Sequence, residues 1–182
     1  MTKTEARKLA KACRATVDLH TVGHAMAGVL FTLPAWQHAD TVLAFASMPD
    51  EPDTADILLA EGKRLLLPRV LSRTEMDWVE ITALSQLQPG AYGILEAPAS
   101  LPAFDTAHLG DGALALIPCL AAGRDGVRLG RGGGYYDRFL AHYKGAKLLL
   151  CPEAVLTDTL PCDDWDAHFA PEEILTEKGI QV

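Results

Sequence analysis

The sequence predicts a single-domain α/β protein, a mostly parallel sheet with helices on both faces in a Rossmann-like three-layer arrangement. Three observations carry this. Apolar runs of strand length at residues 41–48, 113–118 and 146–151 are nearly free of charge, as strands buried on both faces are. They alternate with stretches of helical periodicity, the order that parallel crossovers require. A chain of 182 residues, 49% hydrophobic and 22% charged, has the size of one domain and the apolar content to build its core.

Ala6, Leu9, Ala10 and Cys13 recur at i, i+3, i+4 and i+7, so residues 4–16 read as an amphipathic helix. Lys3, Arg7 and Arg14 fall together on its other side, a stripe that can face a ligand. Residues 18–33 read as a second, more buried helix ended by Pro34. The strand at 41–48 runs into a polar loop at 49–53, after which Thr54 is placed to cap a helix reaching about Glu61. Residues 64–70 make the next strand, 75–81 an antiparallel or edge strand, and the Pro- and Gly-punctuated stretch 89–102 a loop. A strand at 113–118, a helix at 135–143 and a strand at 146–151 complete the alternation. Sheets of this kind bind ligands at the carboxyl ends of their strands, which directs attention to the loops after Met48 and Pro118.

Charge narrows the partners. A net charge of −8 argues against nucleic acid, whose non-specific binding comes from neutralising phosphates. Residues 1–14 nevertheless hold five basic side chains against Glu5, and residues 124–138 hold four arginines against Asp125 and Asp137. Two compact basic islands on an acidic body suit a small polyphosphate. The apolar stretch 22–37 is broken by His24 and Pro34 and falls short of the roughly 20 residues of a membrane span. With a charged N-terminus and no signal-like run, the chain is expected to be cytoplasmic, to work without a membrane and to act as a monomer on a small molecule. The four cysteines lack C-x-x-C spacing and read as core or surface thiols. His20 and His24 lack a third ligand and read as structural, and Trp36, Trp78 and Trp165 as packing residues.

Between the strand at 113–118 and the helix at 135–143 lies the segment G-R-D-G-V-R-L-G-R-G-G-G-Y-Y-D-R, residues 123–138. Gly130, Gly132, Gly133 and Gly134 clear side chains from a place where backbone N–H groups can converge, and a helix start points the same way. Arg128 and Arg131 add charge matched to phosphate oxygens. The segment has no G-K-[ST], and Tyr135 occupies the position of the third glycine in G-x-G-x-x-G, so neither common nucleotide motif applies.

Residues 128–137, R-L-G-R-G-G-G-Y-Y-D, closely resemble the R-L-G-x-G-x-G-Y-Y-D signature of the 5-formyltetrahydrofolate cyclo-ligase family. The likeness covers most of the chain, from the K-x-x-x-R of Lys3 and Arg7 to the late P-x-x-x-x-D of Pro161 and Asp166. It implies an ATP-dependent enzyme that turns 5-formyltetrahydrofolate into 5,10-methenyltetrahydrofolate. By that resemblance Lys3, Arg7, Arg128, Leu129, Gly130, Arg131, Gly132, Gly133, Gly134, Tyr135 and Tyr136 hold ATP, and Arg131 and Tyr135 serve catalysis. Ala46, Glu51 and Tyr92 contact the folate, while Asp137 and Asp166 share Mg²⁺. Asp137 can also complement the first turn of its own helix. The chain departs from the family where P-G-L-x-F-D is usual, reading P-C-L-A-A-G at 118–123, in having Ala154 and Val155 where a glutamine is usual, and in having Trp165 where histidine is common. These departures keep open an alternative, a nucleotide- and folate-binding paralogue with weak or altered activity.

Overall fold

The computed structural model describes residues 1–90 and 95–181. Its centre is a seven-stranded sheet in the order β12-β11-β9-β6-β1-β2-β3. The strands are β1 (Thr41–Leu43), β2 (Arg64–Val70), β3 (Met76–Ile81), β6 (Ala113–Pro118), β9 (Ala146–Leu150), β11 (Ile174–Thr176) and β12 (Gly179–Ile180). The five inner strands run parallel, and an antiparallel strand closes each edge, β3 on one side and β12 on the other. The mostly parallel α/β sheet expected from the sequence is therefore present.

Alternation along β6 builds the layers. Ala113, Ala115 and Ile117 face one core with Ala6 and Ala10 of α1 (Lys3–Arg14) and Phe139 of α5 (Tyr135–Leu140). Leu114 and Leu116 face the other with Met26, Ala27 and Leu30 of α2 (Leu19–Thr32), Trp36 of α3 (Pro34–His38) and Ile57 of α4 (Ala55–Leu58). Every residue of β6 is buried, which is why its sequence is an unbroken apolar run. Two small sheets flank the large one. β10 (Leu156–Thr157), β7 (Ala121–Gly123) and β8 (Arg128–Leu129) form one, and β4 (Gln88–Pro89) with β5 (Leu95–Glu96) the other.

Several boundaries differ from the sequence reading for identifiable reasons. Pro34 ends α2 as expected but also starts α3, since a proline at the first helical position gives up no needed N–H. The expected strand 41–48 pairs in ladder form only at 41–43, because the Thr54 hydroxyl donates to Phe45 O at 2.8 Å and accepts from Ser47 N at 3.1 Å. Thr54 thus pins the loop, and Asp53 Oδ1 accepts from Ala55 N at the start of α4 in its place. α4 stops at Leu58 and α5 at Leu140, both shorter than expected. The β7–β8 hairpin lay in a stretch read as loop. Its turn is Asp125-Gly126, with Gly126 at φ 89°, a conformation that favours glycine.

Arg14 corrects a larger reading. The stripe on α1 was expected to present it to a ligand, yet its side chain is 1% exposed. Its Nε donates to Leu120 O at 2.8 Å, Nη2 to Cys119 O at 2.6 Å and Nη1 to Asp50 O at 2.8 Å. The planar fork satisfies three carbonyls from two loops that no strand partner reaches. Arg14→Met is expected to leave these acceptors without donors and to lower unfolding free energy by about 3 kcal/mol or more. Lys11→Met, on the exposed side of the same helix, is expected to change it by about 0.5 kcal/mol or less. Urea denaturation of the two variants checks both figures.

Candidate active site

The loops after β1 and β6 meet the glycine-rich segment 130–134 above the carboxyl ends of the central strands. Two cavities open there. One, of about 200 Å³, is mainly apolar, with Phe45, Met48, Leu67, Pro68 and Tyr136 in its walls and Glu51 and Arg131 as its charged groups at the mouth. The other, of about 630 Å³, is polar and is lined by Lys3, Arg7, Arg138, Asp163, Asp166 and Trp165. Arg128, Gly130, Gly132, Gly133, Gly134 and Asp137 line both. A nearly side-chain-free strip of backbone is the partition between them.

Local chemistry explains that strip. Gly132 at φ 101° and Gly134 at φ 67° lie in the left-handed region, which other residues adopt at a cost. A Cβ on Gly133 would stand 2.7 Å from the Tyr135 ring. Arg7 Nε donates to Gly130 O at 2.9 Å and Arg138 Nη2 to Gly133 O at 2.7 Å, so two guanidinium groups hold the strip from the polar side. Arg128 holds it from below. Its buried side chain donates from Nε to Pro118 O at 2.9 Å, pairs with Asp137 Oδ1 at 3.2 Å and lies 5.3 Å from the Tyr136 ring centroid.

Arg131 belongs to the apolar cavity and not to the polar one. Nε and Nη2 reach Glu51 Oε1 at 3.1 and 3.0 Å, and Nη1 and Nη2 reach Asp50 at 3.0 and 2.5 Å. The second Glu51 oxygen accepts from Met48 N at 2.9 Å. This clamp joins the acidic loop to the glycine segment across the cavity mouth. Hydrogen bonding to Arg131 holds the Asp50 carboxyl below its ordinary value of 3.8, against the opposing effect of partial burial.

In the polar cavity Lys3 Nζ bridges Asp163, at 2.6 Å, and Asp166. Burial opposes ionisation of Asp166, but the Lys3 hydrogen bond and the Asp163 N–H hold it below the usual carboxylate range. Ala167 N lies 3.5 Å from Asp137 Oδ1, which brings the two aspartates singled out in the sequence to the same wall. Among the described residues no cluster of three or more His, Cys, Asp or Glu side chains could hold a metal unaided.

Most of the residues singled out in the sequence converge here. Lys3, Arg7, Arg128, Leu129, Gly130, Gly132, Gly133, Gly134, Asp137 and Asp166 line the polar cavity, while Ala46, Glu51, Arg131, Tyr135 and Tyr136 line the apolar one. Tyr135 lends its hydroxyl to Ser72 O at 2.8 Å, and Tyr136 packs edge-on against Trp78, where burial raises its phenol. Tyr92 lies outside the described residues. Trp165 is not a packing residue. It is 74% exposed at the rim of the polar cavity, since no core element passes over its turn. Asp50, Arg138 and Asp163 were not singled out, although Asp50 precedes Glu51 and Arg138 closes the arginine island. His20 and His24 pair with Asp53 and Asp56, at 2.8 and 2.6 Å, on the far side of the loop.

The profile of the 5-formyltetrahydrofolate cyclo-ligase family matches residues 3–177. The chain belongs to this family. The cyclo-ligase of Mycolicibacterium smegmatis is 31% identical over 149 residues, 76% of this chain and 74% of that protein. Those of Escherichia coli K12 and the mouse are also 31% identical, over 80% and 78% of this chain and 83% and 75% of theirs. The solved structure of Aquifex aeolicus 5,10-methenyltetrahydrofolate synthetase superposes with a TM-score of 0.83 at 26% identity, covering 100% of this chain and 92% of that one. The Mycoplasma pneumoniae synthetase, at 20% identity and a TM-score of 0.74, shares the fold. As a cyclo-ligase family member the protein is an enzyme, a ligase of folate one-carbon metabolism. Among the described residues no helix is long and apolar enough to cross a membrane.

The clamp across the cavity mouth has a definite pH signature. A carboxyl whose folded pKa is depressed contributes stability above its unfolded value and loses it as pH falls through the folded one. The stability difference between wild type and Asp50→Asn is therefore expected to be constant at pH 6–8 and to shrink below about pH 4. Urea midpoints for both proteins across that range measure it, and the effect is modest because Asp50 is partly exposed.

Proposed function

We propose that the protein closes 5-formyltetrahydrofolate to 5,10-methenyltetrahydrofolate at the expense of ATP, releasing ADP and phosphate. The observation that carries this reading is the shared glycine partition, because a ring-bearing substrate on the mainly apolar side and a polyphosphate on the other meet across backbone alone. The folate lies in the apolar cavity beside Ala46 and Glu51, with Tyr92 assigned there by family resemblance only. ATP lies in the polar cavity, its phosphates among Lys3, Arg7, Arg138 and the backbone of the partition.

The formyl oxygen attacks the γ-phosphorus, the bond to ADP breaks, and an imidate-like phosphate forms on the folate. N10 then attacks the same carbon, the C–O bond breaks, and phosphate leaves with the oxygen and takes up the proton that N10 gives up. Phosphoryl transfer asks for positioning and charge neutralisation more than for a protein nucleophile. Arg131 supplies both at the cavity mouth, held against Asp50 so that it keeps its place when Glu51 turns to the substrate. Tyr135 keeps the partition in position through Ser72.

Asp137 and Asp166 fit a Mg²⁺ ion, which takes one or two carboxylates and fills its remaining positions with water and phosphate oxygens. When bound, the metal offsets the charge of the phosphates. Lys3 occupies Asp166 in the absence of ligand and is near enough to pass to a phosphate. Of the sequence departures, Ala122 and Gly123 fall in β7, away from both cavity walls, whereas Cys119 lines the apolar cavity and Trp165 the polar one. Appearance of methenyl absorbance on mixing purified protein, 5-formyltetrahydrofolate, ATP and Mg²⁺ tests the reading. No signal from folded protein at saturating metal overturns it, and folate-independent nucleotide binding without turnover favours the paralogue.

Asp137→Asn is expected to need much more Mg²⁺ for half-maximal rate and to reach a lower maximum, since an amide is a poorer ligand for a hard cation. Superimposable magnesium activation curves for variant and wild type remove Asp137 from the metal site. Trp165 offers its exposed face to the nucleobase, and stacking of this kind contributes about 1–3 kcal/mol. Trp165→Ala is expected to raise the KM for ATP about tenfold with kcat little changed, and Trp165→Phe to restore it, as read from initial rates.

A further inference from the structure

Two side chains in the floor of the site have no part in that reaction. Cys119 follows β6 and Cys151 follows β9, and the register of these parallel strands, with Pro118 opposite Leu150, sets the cysteines side by side. Neighbouring strands lie about 4.8 Å apart, within the Cα separation that a disulfide spans. Cys119 Sγ is 3.4 Å from Leu150 O, the carbonyl of the peptide that leads into Cys151. Cys151 Sγ is 3.5 Å from Pro152 O, both side chains lie in the same buried cluster, and both thiols are free.

Cys119 also lines the apolar cavity, so a small molecule entering there comes up against this residue. Two buried guanidinium groups stand beside it, Arg14 on its own carbonyl at 2.6 Å and Arg128 on the preceding one at 2.9 Å. Neither loses its charge at any ordinary pH. The neighbouring Cys151 and then these two charges hold the Cys119 thiol below its usual value against burial and the Glu51 carboxylate, while burial and the Cys119 sulfur push Cys151 up. One sulfur of the pair is thus prepared as a nucleophile and the other as a proton-bearing partner.

We propose that Cys119 and Cys151 form a reversible dithiol–disulfide site that reacts with small hydroperoxides admitted by the apolar cavity. The Cys119 thiolate attacks the terminal peroxide oxygen. The O–O bond breaks, and the departing alkoxide or hydroxide takes up the proton that Cys119 gave up, leaving a sulfenic acid. Cys151 sulfur then attacks Cys119 sulfur. The S–O bond breaks, hydroxide leaves with the Cys151 proton as water, and the S–S bond forms. Two thiols are oxidised and one peroxide is reduced to water and an alcohol, or to two waters. The strand spacing already suits a disulfide, so the bond forms by turning the Cys119 side chain toward Cys151, which alters the floor of the apolar cavity that Cys119 lines, and oxidation suppresses turnover.

The loss of turnover rests on the proposed function, whereas the cross-link does not, so the test reads both. The full-length protein is treated with hydrogen peroxide, digested without reductant and mapped by mass spectrometry, with activity followed in parallel. The expected result is a cross-link between the peptides of Cys119 and Cys151, formed more slowly with 5-formyltetrahydrofolate present, and activity that falls and returns with dithiothreitol. Cys151→Ala is expected to give no cross-link and to leave a sulfenic acid on Cys119 that dimedone traps. Free Cys119 and Cys151 thiols in treated wild type, with exposed Cys162 oxidised, overturn the proposal whether or not the variant folds. A cross-link in a protein that shows no turnover before treatment overturns the proposed function and leaves the thiol site standing.

Discussion

The active site depends on Arg14. Strands of a parallel sheet end in carbonyls that point toward the ligand side, and here the chain turns away from β6 without a partner strand to receive them. One guanidinium from α1 satisfies Cys119 and Leu120 while tying in Asp50 from the loop after β1. The acidic loop, the exit of β6 and the N-terminal helix are thereby fixed to one rigid, permanently charged group. Arg128 repeats the device one carbonyl earlier, at Pro118, and carries the glycine segment. Without either fork, the loop bearing Glu51 and the segment 130–134 are joined mainly by the Arg131 clamp, which is more exposed.

On that frame the charges divide by function. Arg14, whose fork is filled by backbone carbonyls, and Arg128, shared between Pro118 O and the Asp137 carboxylate, set geometry. Lys3 and Arg131 are held by carboxylates, at Asp163 and Asp166 on one side and at Asp50 and Glu51 on the other. Each cation faces two carboxylates, which leaves one negative charge in excess and keeps the cation aimed at the cavity, where ligand oxygens can replace the carboxylates. An acidic protein can in this way carry two concentrated basic islands without attracting polyanions indiscriminately.

The sheet was legible because burial on both faces writes a continuous apolar run, as at 113–118, and the glycine segment because ten consecutive residues matched a known signature. What stayed hidden is long-range. Nothing near Arg14 in sequence says that it meets residues 36 and 106 positions away, and a basic helical face looks the same whether it binds solvent, phosphate or carbonyls. Thr54 misled for a related reason, since its hydroxyl serves a loop seven and nine residues upstream and not the helix it precedes. Strands of two or three residues such as β11 and β12 carry too little pattern to announce themselves, and Trp165 is silent because exposure is decided by what fails to pack over it.

The bridge from Lys3 to Asp166 also sets a clock on biosynthesis. Its two ends are 163 residues apart, so a ribosome adding about 5–20 residues per second delivers the second end on the order of ten to thirty seconds after the first. Through that interval the basic helix has neither its acidic partners nor the rim that Trp165 supplies. A ligand of the polar cavity therefore cannot act as a scaffold for the earlier part of the nascent chain. The strands made before residue 166 form on hydrophobic burial alone, and any stabilisation by a ligand of this cavity comes only after Asp166 has been added.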